Sequence, residues 1–429
     1  MKTMIVVILI CMLLFLLKVP VYISMALTGC ALMVATSGMK WSILTQYLYT
    51  GTNSFTLLAI PLFLLAAKLM NTGGITKKLF AFCMKVVGWL PGGLGHVNIL
   101  SSVIFAGMSG TAVSDAGGLG AIEIKAMNEH GFDNDFSCCV TAASSTMGPI
   151  IPPSIPLVVY ATVSGASVGA LFMAGIVPGI VMALLMMVVV TIYAIKRHYP
   201  RTKFPTFHEF GHALKEGFLP LMAPIILLVG IYGGVFTPTE SAAIVVLYSL
   251  FLDVVVYREL SFKKFIAILK ETVRDSLTIA LIIAGATFFG YVATRAKIPQ
   301  MILTSMTSVV SSKVTLLLII NVFLLIVGCF LETASAITIV VPLILPLLTA
   351  YNINLTQFGI IMVLNLMIGL LTPPFGLVLF VISKIGHISI GRFSKALVPW
   401  LGALLAALLL VTFIPQLSLW FPTMLGMSV

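Results

Sequence analysis

Charge is what this chain has least of: 9% of its 429 residues are Asp, Glu, Lys or Arg, against 60% hydrophobic. Soluble globular chains carry about 25% charged residues, and disordered chains need few hydrophobes, so both classes are excluded. Paired cysteines are missing too. Cys11, Cys30, Cys83, Cys138, Cys139 and Cys329 lie in apolar segments without any CxxC, as small buried hydrophobes do. No Gly-x-x-x-x-Gly-Lys-[Ser/Thr] motif occurs, nor even a Gly-Lys dipeptide, so there is no phosphate loop for ATP. The net charge of +11 comes from 24 basic residues spread in short clusters between apolar runs. No basic patch interleaves with exposed aromatics, which sets nucleic acid aside.

What is present is apolar sequence, with a mean hydropathy of +1.16. A helix needs about 20 apolar residues to cross a bilayer. Runs at 4–17, 21–36, 54–71, 137–165, 169–195, 219–236, 240–257, 276–293, 357–385 and 391–414 predict an all-α polytopic membrane protein. The first run follows Lys2, with no small-residue cleavage site before the second, so it reads as a span rather than a signal peptide. Two further stretches, 96–130 and 316–350, have polar or Gly-rich centres and predict re-entrant hairpins. Basic amphipathic pieces at 77–90, 201–217 and 261–274 predict helices along the membrane surface.

Sliding the chain against itself by 221 residues aligns Gly148 with Gly369, Pro152-Pro153 with Pro373-Pro374, Gly165 with Gly386 and Val177-Pro178 with Val398-Pro399. The matches fall on the residues that shape the backbone, and divide the chain into repeats at 1–215 and 219–429. The stretch 37–53 holds one basic residue, Lys40, whereas its counterpart at 258–275 holds Arg258, Lys263, Lys264, Lys270 and Arg274. Basic loops stay in the cytoplasm. Equivalent loops therefore face opposite sides, and the repeats are inverted, an architecture of secondary transporters. Lys196, Arg197, Arg201, Lys203 and Lys215 place the linker inside, as Lys384, Arg392 and Lys395 place theirs. Both chain ends then fall outside.

Two expected crossings are interrupted at matching positions, by Met147-Gly-Pro-Ile-Ile-Pro-Pro-Ser154 and Gly369-Leu-Leu-Thr-Pro-Pro-Phe-Gly376. Proline removes an amide donor and bars the helical conformation of its predecessor, freeing carbonyls at membrane depth. Broken helices survive there only where protein or a cavity satisfies them, and such breaks coordinate Na⁺ or anions. Proline kinks alone explain one break, but not two at equivalent positions. The tips of the expected hairpins, 107–118 and 328–335, carry Asp115 and Glu332. Close helix packing accounts for their glycines. It does not account for the acids, which are costly in lipid unless functional or paired. Arg295 either is interfacial, pairs with Glu332, or meets a substrate carboxylate. Glu240 reads as a helix N-terminal charge and Asp253 as interfacial. His208-Glu209-Phe210-Gly211-His212 matches H-E-x-x-H, a zinc-protease pattern. It has a central Gly, no third ligand and a place in the basic linker, so surface histidines are the better account and no zinc is expected.

The strings Leu58–Phe63, Pro91–Gly95, Ser109–Asp115, Ile150–Pro156, Phe236–Glu240 and Thr372–Gly376 together resemble the large membrane subunit of tripartite ATP-independent periplasmic (TRAP) transporters. The resemblance covers nearly the whole chain, in order. It implies a non-enzymatic elevator transporter of ion-transporter-superfamily type in a bacterial inner membrane, with both termini periplasmic. A sodium gradient would drive it. A periplasmic binding protein would deliver a carboxylate-bearing solute, and a small four-helix membrane subunit would brace the scaffold. The family pattern implies one Na⁺ site at Ser109, Gly110 and Thr111 with Met147, Gly148 and Pro149. It implies another at Glu332, Thr333 and Ala334 with Gly369 and Thr372. Thr111, Asp115, Ser154, Arg295 and Glu332 would face substrate or scaffold. Thr111 stands where serine is commoner and Glu332 where aspartate is. A stand-alone ion-coupled anion transporter of related fold is the alternative, an intramembrane metalloprotease a distant third. Pro153→Ala and Pro374→Ala should each reduce Na⁺-coupled uptake more than membrane expression, read by uptake and immunoblot; wild-type uptake in both would remove the case for the paired breaks.

Overall fold

The computed structural model describes Leu14, residues 19–36, 39–71, 73–310, 312–427 and Val429. The expected crossing at 4–17, Leu14 apart, lies outside the described residues. Among those described, regular structure is helical throughout, as lipid demands of segments whose backbone groups must find partners internally. Seven described helices are long and apolar enough to cross a membrane. An eighth is formed if Ser42–Thr52 and Phe55–Met70, bent by 54° at their junction, count as one.

Two of the three expected surface helices are corrected. Residues 201–217 and 261–274 are not separate pieces. Thr206 and Glu209 form a capping box that starts a single helix, Phe207–Tyr232. Ser261 likewise caps one 34-residue helix, Phe262–Arg295. At 1.5 Å per residue the latter is about 50 Å long, more than the hydrocarbon core of about 30 Å. Its basic end therefore projects from lipid on the same rod as its apolar part. The piece at 77–90 is a separate helix, Gly73–Val87. The stretches compared for charge, 37–53 and 258–275, are likewise largely helical, so the asymmetry belongs to helix ends rather than loops.

The helices sort into two sets. An outer set comprises Val21–Ala35, Ser42–Thr52, Ala59–Met70, Phe207–Tyr232, Pro238–Phe251 and Phe262–Arg295. Its centre is the long Phe262–Arg295 rod, against which the first three pack. Glycines allow the close approach: a Cβ on Gly285 would stand 2.8 Å from Tyr22 O, and one on Gly29 2.6 Å from the Phe288 ring. Lys68 Nζ, at 2.7 Å from Asp275 and 3.2 Å from Glu271, ties the end of Ala59–Met70 to the same rod.

The inner set begins with a hairpin whose arms, Gly93–Ser109 and 112–129, meet at Gly110-Thr111. Ser101 on one arm bonds Glu123 on the other, so the chain reverses there. The first broken helix follows, Asn134–Ser145 and Ile155–Ser164, and then Val168–Arg197. A second hairpin has arms Lys313–Phe330 and Thr333–Ala350, its far ends joined by Lys313 Nζ to Asn352 O at 3.3 Å. The second broken helix is Leu355–Gly369 and Leu377–Ile385, followed by Ile390–Phe413 and Gln416–Met424. Ala112 and Thr333 open equivalent arms, and Asn134 and Leu355 equivalent half-helices, at the same offset of 221. The Pro152-Pro153 and Pro373-Pro374 bonds, at that offset, are both cis.

Polar groups in the inner set bind one another. At one end, Asp133 accepts from Arg197 and from Tyr199, both at 2.6 Å, while Arg392 bonds Asp135 at 2.7 Å and Asn134 donates to Gly386 O at 2.7 Å. The Tyr199 hydroxyl, against the opposing effect of burial and ahead of Arg197, holds the Asp133 carboxyl below its ordinary value. At the far side, Asn321 bonds Thr412 at 3.1 Å and accepts from Asn365 at 2.8 Å.

Between the sets the contacts are apolar: Phe63 lies edge-on to Phe172 at 6.0 Å, Tyr232 to Phe421 at 5.7 Å, and Gly290 faces Pro342. Among the described residues no hydrogen bond or ion pair joins a helix of the outer set to one of the inner set. A Cβ built on Gly290 would stand 3.4 Å from Pro342 Cβ, near the 3.5–4.5 Å of a disulfide. The double variant Gly290→Cys/Pro342→Cys should therefore cross-link on oxidation, read as a mobility shift on non-reducing gels; thiols that remain fully alkylatable would show that this face is not packed as described.

Candidate functional site

The site is built where the first hairpin tip enters the first break. Asn134–Ser145 unwinds through turns in which Met147 N bonds Ser144 O at 3.1 Å and Gly148 N bonds Ser145 O at 3.3 Å. Met147 O then accepts from Ile150 N at 3.0 Å and Ile151 N at 2.9 Å. Ser154 donates its hydroxyl to Pro149 O and accepts from Leu157 N at 3.2 Å, capping the second half-helix. Two of the carbonyls expected to be free thus already have donors, two at Met147 O and one at Pro149 O, and Ser154 serves as a cap. The whole turn is buried.

Ser109 ends the first hairpin arm, and Gly110 turns the chain at φ 64°, a conformation glycine adopts at least cost. Gly110 O accepts from Ile155 N at 3.4 Å, which locks tip to break. Thr111 sits half-buried at the start of Ala112–Gly117. Asp115, 4% exposed, points back at the turn. A methyl group on Gly148 would collide with Asp115 Oδ2 and stand 3.5 Å from Ser109 Oγ. Neither of those buried oxygens meets the geometry of a hydrogen bond; the Ser109 hydroxyl and the Asp115 carboxylate face only each other. Buried polar atoms without a full hydrogen bond cost about 1–3 kcal/mol each. Two such oxygens facing one buried, unwound backbone turn suit a small hard cation, which oxygen ligands bind.

The second tip and break meet differently. Gly369 packs on Gly328, where any Cβ would strike the Gly328 backbone. Thr372 Oγ1 lies 2.9 Å from Cys329 Sγ and donates to Gly369 O at 2.9 Å. Glu332 caps Thr333–Ala350 by accepting from Ser335 N at 3.2 Å. Thr333 and Ala334 are buried in that first turn. Here the break is accessible, with Phe375 56% exposed. Among the described residues Glu332 makes no ion pair, so of the three readings open for Arg295 the pairing with Glu332 is absent; Arg295 lies exposed at the end of its rod. Among the expected site residues the structure therefore brings together Ser109, Gly110, Asp115 and Gly148 in one place, and Glu332, Gly369 and Thr372 near another.

Sequence reasoning missed Glu123. It is 1% exposed and bonded to Ser101 Oγ, but Lys125 and Glu129 nearby, which pair at 3.9 Å, gave its segment the look of a solvated face. Glu209 of the H-E-x-x-H string is engaged in the Thr206 capping box and lies 3.6 Å from Lys85.

A cavity of about 310 Å³ lies between Phe262–Arg295, the end of Ile155–Ser164 and Thr333–Ala350. Tyr47 and Tyr291 stack at its edge, 4.0 Å between centroids. Thr162, Thr287, Thr294 and Thr338 line it, each donating its hydroxyl to a carbonyl four residues back at 2.8–2.9 Å. Their donors are occupied, so the wall offers neighbours mainly methyl groups and rings.

Hairpins, broken helices and an apolar seam define a multi-pass membrane transport protein. Residues 7–417 match the family model for the tripartite ATP-independent periplasmic transporter, DctM component, and the chain belongs to that family. It is 42% identical over 403 residues to the sialic acid TRAP transporter large permease protein SiaM of Vibrio cholerae, covering 94% of each chain. It is 35% identical over 428 residues to the C4-dicarboxylate TRAP transporter large permease protein DctM of the same species, covering 95% of this chain and 94% of that one. The YdaH transporter of Alcanivorax borkumensis shares the fold, with a TM-score of 0.67 at 13% identity, over 96% of this chain and 98% of that structure. SiaM and DctM are named as large permease proteins of transporters, not as enzymes.

Asp115→Asn should raise the melting temperature in Na⁺-free detergent, because it removes a buried carboxylate oxygen that lacks a full hydrogen bond, a cost of about 1–3 kcal/mol; a fall of several degrees would mean that the Ser109 hydroxyl already satisfies Asp115.

Proposed function

We propose that this subunit imports a carboxylate-bearing solute across a bacterial inner membrane, coupled to a sodium gradient. In this reading a periplasmic binding protein delivers the solute and a small four-helix membrane subunit braces the outer helices. The halves 1–215 and 219–429 act as inverted repeats, and both termini face the periplasm. One observation carries the reading: the buried Ser109 Oγ and Asp115 Oδ2, which face each other without completing a hydrogen bond, converge on Gly148 of a broken helix. Na⁺ enters as co-transported cargo. It gives those oxygens the partner that protein does not, and neutralises Asp115 in a low-dielectric setting where a lone carboxylate is costly.

The second tip and break, accessible around Glu332 and Phe375, supply the more open face for the solute. With one positive charge held at Asp115 and no buried Lys or Arg beside it, binding an anion becomes less unfavourable once the cation is in place. Sodium then precedes solute. The apolar seam supports the mechanical part: the inner helices move as one body along Phe262–Arg295, because no polar contact there must break. The relatives' names offer sialic acid and C4-dicarboxylates as solute classes, and the binding protein makes the choice.

Reconstituted with its partners, the subunit should take up solute only with binding protein present and an inward Na⁺ gradient, and Asp115→Asn should raise the half-saturating Na⁺ concentration by about tenfold, or 1.4 kcal/mol. Uptake of free solute without binding protein would favour a stand-alone transporter, and uptake indifferent to Na⁺ would overturn the coupling.

A further inference from the structure

Below the first break lies a sealed polar network that uses none of the groups assigned above. Asn98, in the first arm of hairpin one, donates from Nδ2 to Thr141 Oγ1 at 2.7 Å and accepts at Oδ1 from Ser144 Oγ at 2.7 Å. Ser102 donates to Ser144 at 3.0 Å. Thr141 passes its own proton to Ser137 O at 2.8 Å. Ser144 Oγ also lies 3.1 Å from Thr141 O, so its one proton, directed mainly at Asn98, is shared with that carbonyl. The network fastens the hairpin to the half-helix Asn134–Ser145, one residue before the turn begins.

The remaining link is Ser101, which lies 3.0 Å from Asn98 O and also bonds Glu123 Oε1 in the other arm. A hydroxyl has a single proton. Asn98 O is only an acceptor, and an ionised Glu123 would be only an acceptor too, so Ser101 would have to divide one proton between them, as Ser144 does between Asn98 and Thr141 O. Both contacts are hydrogen bonds if Glu123 is the donor to Ser101. Glu123 has no cationic partner either; the ion pairs of the described residues lie elsewhere, and the residue is 1% exposed. A charged carboxylate in such a place would be strongly unfavourable.

We propose that Glu123 is a positioning residue for the first sodium site, present as a neutral acid that donates to Ser101 and thereby holds both hairpin arms on Asn134–Ser145. The inference rests on the sodium reading above. Ser101 and Asn98 lie two and three helical turns before Ser109, and Ser144 lies four residues before Gly148. The network therefore sets the distance between the two sides of the site without touching the ion. Groups of this kind around a metal site change affinity by about 10- to 100-fold when lost. A glutamine keeps the donor and the shape. An alanine keeps neither.

The test uses the complete transporter in proteoliposomes, with Na⁺-activation curves for wild type, Glu123→Gln, Glu123→Ala and Ser101→Ala, and infrared spectra of the purified protein. Glu123→Gln should keep the half-saturating Na⁺ concentration within about twofold. Glu123→Ala and Ser101→Ala should raise it by about tenfold or more, with maximal uptake at saturating Na⁺ much less affected. A protonated-acid carbonyl band should be present in wild type and lost in Glu123→Gln, with or without Na⁺. Ser101→Ala and the infrared band carry the test if Glu123→Ala does not fold. Glutamine as damaging as alanine, or no band assignable to Glu123, overturns the neutral acid. Na⁺-dependent wild-type uptake with unchanged half-saturation in Ser101→Ala and Glu123→Ala overturns the positioning role alone. Wild-type uptake indifferent to Na⁺ overturns the sodium reading and that role together, while leaving the infrared band as evidence on the acid.

Discussion

In lipid there is no water to take up a stray hydrogen bond, so every polar group must find its partner within the protein. This chain meets that constraint locally. The inner helices satisfy one another through Asn98, Ser144, Asn321 and Asn365, and the outer ones through Lys68 with Asp275 and Glu271. Across the seam between them, among the described residues, rings, glycine and proline meet without a hydrogen bond between the two sets of helices. A packed surface without directional bonds has no register to lose if it slides. Stability within each set and the movement proposed between them would thus have the same origin.

The same constraint makes its exceptions informative. Ser109 Oγ and Asp115 Oδ2, two of several buried side-chain atoms without a full hydrogen bond, face each other at a place where the backbone is already unwound. The symmetric positions in the second half are Phe330 and Ala336, and the glycine against which the acid lies, Gly148, becomes Gly369 packed on bare backbone. Thr111 is matched by Glu332, an N-cap. Positions 221 residues apart therefore share backbone features but carry different side chains. The first tip and break make a closed pocket of oxygens. The second make a tight glycine contact and an accessible break. In the proposed function the first place would take a cation and the second the solute.

Much of this was legible in the sequence, and for identifiable reasons. Backbone-shaping residues leave their mark regardless of packing, so Gly148, Gly369 and the two Pro-Pro pairs marked the breaks, and Asp115 stood out by charge alone. Helix ends were harder. Residues 201–217 and 261–274 read as separate surface pieces because basic composition marks the edge of lipid, not the end of a helix. Only the caps at Thr206 and Ser261 reveal that the rods continue. Glu123 escaped because Lys125 and Glu129 disguised its segment, and burial depends on what packs against a helix. The partition into two sets lies in absent contacts, which no single sequence displays.

The claim on which the rest depends is that the inner helices move as one body along an apolar seam. It is tested most directly by pulsed electron spin resonance distances on the reconstituted transporter. Labels at the exposed positions Leu281 and Val398 report between the sets, and labels at Ile122 and Val398 report within the inner one. Going from Na⁺-free to Na⁺- and solute-loaded conditions, the first distance should shift by several ångströms while the second holds constant. A constant first distance, or a second that changes as much, would contradict the account.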